Sequence, residues 1–414
     1  MRSYIEPPKS KDDLKRKIHM AQRYTLAKQI GGDGSPDHQY FNIQLYNDPG
    51  YGGVIPAQYT QSFPTPFIDK PSDYIVNVER FRVPTSQIPI FIWPDPVYPP
   101  TVDPTTITTA TYWVSLRYVK PGAGIDQTFS SPVYYTTPST YSQFWPGQIT
   151  TFPVLTGTRG QTEYGIWTIL DFLELIHRAF QNAFALLVAA FPGSSPALTP
   201  GLGPLVGYDY FGSNIISIDV PNSFSQYYNA LQNDYVRVYT NSQLAAFFPN
   251  FRSALYSYSV LQTPTLDYEI LILPQTTTTI LGYAYLTNLQ ELPTYAQWSS
   301  LASIIFTTNY IPINPEAAPA PVRSGDPASG SNVLFAIADF EPQGFAYPYE
   351  YINHVQTGPR RYADLRSETP LSRVDLQVYW EDKQGNLYPV QLGIGDAFSI
   401  KLEFKKKTAI GDMA

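Results

Sequence analysis

Apolar and polar residues alternate one by one along much of the chain. Phe41-Asn42-Ile43-Gln44-Leu45-Tyr46 does so, and Asn47-Asp48-Pro49-Gly50 follows as a turn. A period of two sends successive side chains to opposite faces of a strand. The same period predicts a long strand over 74–83 and a second over 90–93, stopped by Pro94. Over 111–119, Tyr112, Val114, Leu116 and Tyr118 share one face, with Trp113, Ser115 and Arg117 on the other. Strands are also expected at 215–220, 235–239 and 268–273, with a short helix at 241–248. Val374 to Trp380 alternates, Glu381 to Asn386 turns, and Leu387 to Leu392 returns as a hairpin partner. Phe398 to Phe404 is the last strand. Evenly spaced short strands of this kind argue for a sandwich or barrel.

One stretch breaks the period. Ile169, Phe172, Leu173, Ile176, Phe180, Ala183, Phe184, Leu187 and Phe191 fall on one stripe of a helix spanning about 167–191. Thr168 and Asp171 have capping-box spacing, and Pro192-Gly193 ends the run. At 1.5 Å per residue the helix is about 36 Å long. It is expected to pack on a sheet or brace two sheets; the alternative is docking in a partner's groove.

These changes of pattern divide the chain. Residues 1–38 read as a basic N-terminal arm, with a short helix over 11–28 ended by Gly31-Gly32-Asp33-Gly34. A β-domain follows at 39–160, then the long helix with further strands at 161–290. The C-terminal β-domain is placed at 291–414, with an exposed Pro/Gly loop at 314–331. No period of 20–50 residues marks a solenoid or propeller.

Composition bears on what such a surface is for. Of 414 residues, 43 % are hydrophobic and only 15 % charged, with 39 Pro, 33 Tyr and 23 Phe. Ordinary domains carry about 25 % charge. A skin this aromatic and this sparsely ionised suits a chain whose neighbours cover it; the alternative is a secreted β-protein with a polar surface. Residues 1–30 hold eight Lys/Arg against three Asp/Glu, a net +5, and the remaining 19 against 31 leave −12. A basic arm on an acidic body is suited to an anionic contact. There is no cysteine, which excludes disulfides, thiolate metal sites and a Cys nucleophile. No Asn-x-Ser/Thr acceptor is found. The N-terminus does not read as a signal peptide, and 167–191 carries too many charges for a membrane span.

The sequence offers little chemistry. It has neither a Gly-x4-Gly-Lys-Ser/Thr loop nor a Gly-x-Gly-x-x-Gly turn opening a helix. His19, His38, His177 and His354 are scattered, so no metal site is expected. His177 beside Glu174 reads as a helix-surface or interface residue. Asp33 and Asp37 lack the closing Glu of a calcium loop. Glu79, Glu291, Asp339 and Asp364 are isolated acids whose expected partners are Arg80, Arg82, Arg361 and Arg366. No catalytic residue and no cofactor is assigned. Two basic clusters, Lys15-Arg16-Lys17 and Lys405-Lys406-Lys407, are the candidates for nonspecific contact with nucleic acid or another anion. A solvated tail, partly helical in the case of the arm, is the alternative for both. Trp93, Trp298, Tyr379 and Trp380 are the candidates for an aromatic interface.

Three segments carry a resemblance: PSDYIVNVERFRVPTSQIPIF at 71–91, LQELPTYAQWSSLASIIFTTNYIPINPE at 289–316, and RYADLRSETPLSRVDLQVYWEDKQGNLYPVQLGIGDAFSIKLEFKKK at 361–407. They are similar to minor capsid or penton-type proteins of polinton-like viruses and virophages, more weakly over nearly all of the chain after residue 38. The resemblance implies a mainly β fold of jelly-roll or β-sandwich domains, carrying here one long amphipathic helix and an N-terminal arm. It implies no enzyme activity, a place in the virion, and partners among other capsid proteins: the major capsid protein and further copies of the chain. The other readings are a β-sandwich adhesin or glycan-binding protein, and a two-carboxylate hydrolase.

Overall fold

A computed structural model of the chain describes residues 37–48, 50, 53–99, 101–136, 154–156, 162–192, 203–208, 215–224, 234–257, 263–272, 277–280, 282–292, 298–318, 332–342, 351–355 and 361–407. The helix expected over 11–28 lies outside them.

Eight strands near the two ends of the chain build a sandwich. One sheet runs in the order His38–Tyr46, Ala397–Lys406, Tyr74–Pro84, Tyr351–Val355. The other runs Ala336–Phe340, Leu301–Thr307, Arg373–Asp382, with Gln58–Ser62 on the free side of the last. Counted along the chain, strands one, eight, three and six form the first sheet. Strands two, seven, four and five form the second. That order, in antiparallel pairs, is an eight-stranded jelly roll. Alternation places its core: Val76, Ile400 and Phe404 of one sheet meet Phe306, Leu376 and Trp380 of the other, all 0–3 % exposed.

Between the third and fourth strands the chain makes a second module. It leaves at Pro84 and re-enters at Leu301. A five-stranded sheet runs Ser253–Leu255, Tyr268–Ile270, Tyr235–Thr240, Trp113–Lys120, Ile125–Pro132. A four-stranded one runs Leu205–Tyr208, Ile216–Pro221, Tyr283–Leu289, Thr277–Ile280. Helix α1 (Ile169–Ala190) lies against strands of both sheets. Its capping box is complete: Asp171 N donates to Thr168 Oγ1 at 3.1 Å, and Thr168 N donates to Asp171 Oδ2 at 2.9 Å. Residues 171–177 are all buried, so the first half of α1 has no solvent face. Only its last turns open, at Ala185, Leu186, Ala189 and Ala190. His177, expected on the helix surface, is therefore interior, at 5 % exposure.

The two cores cut across the segments 39–160, 161–290 and 291–414. One draws on residues 90–298 and the other on 43–92 with 301–404. They meet at a small sheet in which Phe91–Ile92 pairs with Thr162–Ile166. Phe91 and Trp93 point into the inserted core, while Ile92 between them packs on the jelly-roll core. Gly165 allows this approach, because a Cβ there would sit 2.7 Å from Pro89. The outgoing and returning chains are tied directly, Ser300 N donating to Ile90 O at 2.8 Å.

Local details depart from the sequence pattern. The helix at 241–248 shortens to α2 (Ser242–Ala245), capped by Asn241, whose Oδ1 accepts from Leu244 N. The strand at 90–93 keeps two residues, Phe91–Ile92. Glu316–Ala318 pairs with Asn332–Leu334 as a two-stranded ribbon, and most of the loop expected at 314–331, residues 319–331, lies outside the described residues. The last strand runs on through Lys406, held in register against Tyr74.

Phe172 is fully buried against Phe91, Tyr112, Phe247 and Trp298. Phe172→Ala should cost about 3–5 kcal/mol in urea unfolding. Leu186→Ala, at a 36 % exposed site, should stay within about 1 kcal/mol of the parent.

Burial also sets a pH dependence on α1. It pushes His177 from 6.5 down to about 4 and Asp171 from 3.8 up to about 6. Unfolded His177 protonates first, so its contribution to stability falls as pH drops from about 6.5 to about 4. Folded Asp171 holds its proton longer, so its contribution falls as pH rises from about 4 to about 6. The two oppose each other. In unfolding titrations, the stability of His177→Gln relative to the parent should rise by about 3 kcal/mol between about pH 7 and about pH 4. A constant difference would mean that His177 is not desolvated.

Candidate assembly surfaces

The aromatic residues expected at an interface are placed in the interior. Trp93 is 2 % exposed, against Tyr112 and Tyr135. Trp298 is 5 % exposed and donates Nε1 to Phe247 O at 3.0 Å. Trp380 is fully buried, stacked on Tyr388 at 4.4 Å. Tyr379, half-buried, donates its hydroxyl to Gln377 Oε1 at 3.0 Å, and burial raises its pKa. Alternation groups residues by face but does not say which face meets water, and here these rings fill cores.

The C-terminal basic cluster is likewise committed to the fold. Lys405 and Lys406 are 6 % and 7 % exposed within the last strand. Lys407 donates Nζ to Ser72 O at 2.8 Å and lies 3.6 Å from Asp364. The solvated-tail alternative is thereby corrected. Lys15, Arg16 and Lys17 lie outside the described residues.

Exposed rings and aliphatics gather instead at loops that short polar side chains hold rigid. At the end of the jelly roll next to the insertion stand Tyr46, Val54 and Ile394, each more than half exposed. Fully buried Asn47 organises them: its Nδ2 donates to Gly53 O at 2.7 Å and to Leu392 O at 2.9 Å. Its carbonyl accepts from Gly395 N, and Gly395 has a φ of +84°, which favours glycine. Asp396 accepts from Gly393 N at 2.7 Å and from Ser86 Oγ, fastening this turn to the exit toward the insertion. At the opposite end, buried Asp375 accepts from Thr308 Oγ1, from Asn309 N at 2.7 Å and from Tyr310 N at 3.0 Å. Tyr310 then stands 47 % exposed, with the Arg373 guanidinium 3.5 Å from its ring centre.

The inserted module presents a further face. Arg117 donates Nε to Asp126 at 2.8 Å and Nη1 to the Tyr256 hydroxyl at 3.0 Å. The hydrogen bond from Arg117 holds the Asp126 carboxyl below its usual range. Leu255 and Tyr256 beside it are 63 % and 52 % exposed. Among the described residues, no group of three or more His, Asp or Glu could hold a metal ion. No helix among them is long and apolar enough to cross a membrane.

A family model for the Sputnik minor capsid protein V18/19 matches residues 39–406. The chain belongs to this family. Structural protein V19 of Sputnik virophage is 28 % identical over 190 residues, 44 % of this chain and 86 % of V19. Uncharacterized protein V18 of the same virus is 29 % identical over 162 residues, 39 % of this chain and 90 % of V18. A chain of the Sputnik virophage particle, solved at 3.5 Å by cryo-EM, superposes with a TM-score of 0.66 at 25 % identity, covering 91 % of this chain and 99 % of that one. The mavirus penton protein shares the fold alone, with a TM-score of 0.55 at 13 % identity over 89 % of this chain and 99 % of that one. As a V18/19-family minor capsid protein, the molecule is a non-enzymatic structural component of a virion, and it assembles with other capsid components.

The sequence reading missed Asp375, Asp396 and the structural weight of Asn47. Asn47 stood in a recognised turn signal; the other two act on loops their own sequence neighbourhoods do not reveal. Asp375→Ala should leave Asn309 N without its acceptor and Tyr310 N with Thr308 Oγ1 alone at 3.2 Å, and cost about 2 kcal/mol in thermal unfolding. Asp375→Asn should cost less, because its amide oxygen can still accept.

Proposed function

We propose that the protein is a penton-type minor capsid protein, closing a ring with copies of itself at a fivefold vertex and seating its jelly roll among the major capsid proteins. The observation that carries this is the order of the modules. A complete jelly roll is made from the two ends of the chain, and the whole second module interrupts it between strands three and four. The two modules are joined at one neck, which gives a floor-and-turret body. The mavirus penton protein, a virophage penton by name, shares this fold over 89 % of the chain. The exposed rings support the same reading. Tyr46, Val54 and Ile394 at one end of the jelly roll, and Tyr310 at the other, are large side chains on pre-organised loops. Such residues gain most from being covered, because little order is lost when a partner arrives.

Cryo-EM of purified particles, with the protein located by antibody labelling, tests the position. Density for the chain should fill the vertices, and native mass spectrometry of the full chain, alone or with the major capsid protein, should show closed rings. Label confined to the facets, or a chain that stays monomeric under both conditions, would sink the proposal.

A further inference from the structure

Among the described residues, the first strand of the jelly roll has a free edge. His38–Tyr46 pairs with Ala397–Lys406 on one side only. The flanking bonds show which backbone groups are engaged. Lys406 N donates to Asp37 O at 2.8 Å, and Asn47 N donates to Asp396 O at 3.0 Å. In an antiparallel ladder every second residue faces the partner, so the odd-numbered residues of this strand face the last one. The N–H and C=O groups of Asn42, Gln44 and Tyr46 point the other way, and among the described residues no backbone group meets them.

Soluble proteins normally blunt such edges with charge, proline or bulges. Other edges of this chain follow that rule. Ile125–Pro132 carries Asp126 and Pro132, and Ala336–Phe340 carries Asp339 and a register shift between Ala336 and Ala338. By contrast the first strand is nine residues long, and Tyr40, Asn42, Gln44 and Tyr46 on its outer face bear no charge. On its inner side the sandwich is incompletely closed. Phe41, Leu45, Tyr59, Phe63 and Phe67 are only partly buried, on the flank where Gln58–Ser62 edges the other sheet. Backbone groups and a partly buried apolar flank, in which Phe41, Phe63 and Phe67 pack on one another, thus lie side by side, which is what an added strand requires.

We propose that this edge receives residues 18–30 of the N-terminal arm of a second copy of the chain, the edge drawing into an extended strand a segment whose free form reads as helix. The proposal rests on the self-association put forward above. Ile18, Met20, Tyr24, Leu26 and Ile30 share one parity, so an extended segment would turn all five toward the apolar flank. Residues 18–30 contain no Pro or Gly. Residues 1–30 carry +5 against −12 for the rest, so arm and body attract.

Because the chain has no cysteine, a clean test is available. Full-length Gln44→Cys is mixed with chains bearing a single cysteine in the arm, Thr25→Cys, whose odd parity shares the outer face of Gln44, and each other position from 18 to 30 in turn. The mixtures are assembled with the major capsid protein and oxidised. Disulfide-linked dimers of the two chains are expected on denaturing gels, strongest at alternate arm positions. Asn42→Pro removes a free-edge N–H and spares the ladder; it should cut the yield at least about tenfold, a loss of about 1.4 kcal/mol in pairing, with the melting temperature unchanged. Rings that form without any cross-link between chains would overturn the arm pairing and leave the penton-type reading intact. A link that forms only within one chain carrying both cysteines would assign the edge to its own arm. Arm residues protected by duplex DNA in place of cross-linking would assign the arm to the genome. Either result overturns the proposal, whereas failure to form rings at all would count against the function it rests on.

Discussion

The jelly roll depends on one long-range pairing. Ala397–Lys406 must slot between His38–Tyr46 and Tyr74–Pro84, because without it the first strand has no neighbour in its sheet among the described residues. His38 and Glu403, 365 residues apart, share a 2.8 Å hydrogen bond there. Bringing such distant segments together is slow and entropically costly. The inserted module reduces that cost. Once its own core has formed, the exit and return of the chain are tied by the bond from Ser300 to Ile90. The long excursion then behaves as a short, stiff connection.

Two devices carry order from that pairing to the surface. The first is the strand Phe91–Ile92, whose alternation serves two cores at once. A period of two normally separates core from solvent; here it separates one core from another, so that sliding one module on the other would expose apolar groups on both sides. The second is the use of short polar side chains as loop clamps. Asn47, Asp375, Asp382 and Asp396 each accept from backbone N–H groups or donate to backbone carbonyls at the jelly-roll ends. Their reach is short, so each fixes a loop tightly. The exposed rings on those loops are set before any partner arrives.

Much of this architecture was legible in the sequence. The strands at 41–46, 74–83, 374–380 and 398–404 were readable because one face of each meets a core, and that leaves a clear alternation. Helix α1 was readable from its stripe and its Thr168–Asp171 box. The division into modules was not. A contiguous reading cannot see that residues 38–84 and 301–406 share a core, because nothing local marks where an insertion begins. The site was legible in kind and largely hidden in detail. A low-charge, aromatic chain with assembly as its work could be inferred from composition. Which rings face outward could not, since Trp380 and Tyr310 differ in the layer above them and not in any neighbouring residue. The Lys405–Lys407 run misled for the same reason: lysine normally marks solvent, but here the strand buries Lys405 and Lys406 and leaves only Lys407 partly exposed.

The neck between the modules has a consequence for the history of such molecules. Both ends of residues 85–300 meet at one small sheet, and the eight strands outside them are complete without it. A different module of similar end-to-end spacing could take that place with the floor undisturbed. The jelly roll can therefore hold its sequence while the inserted module diverges, so two parts of one chain are free to change at different rates.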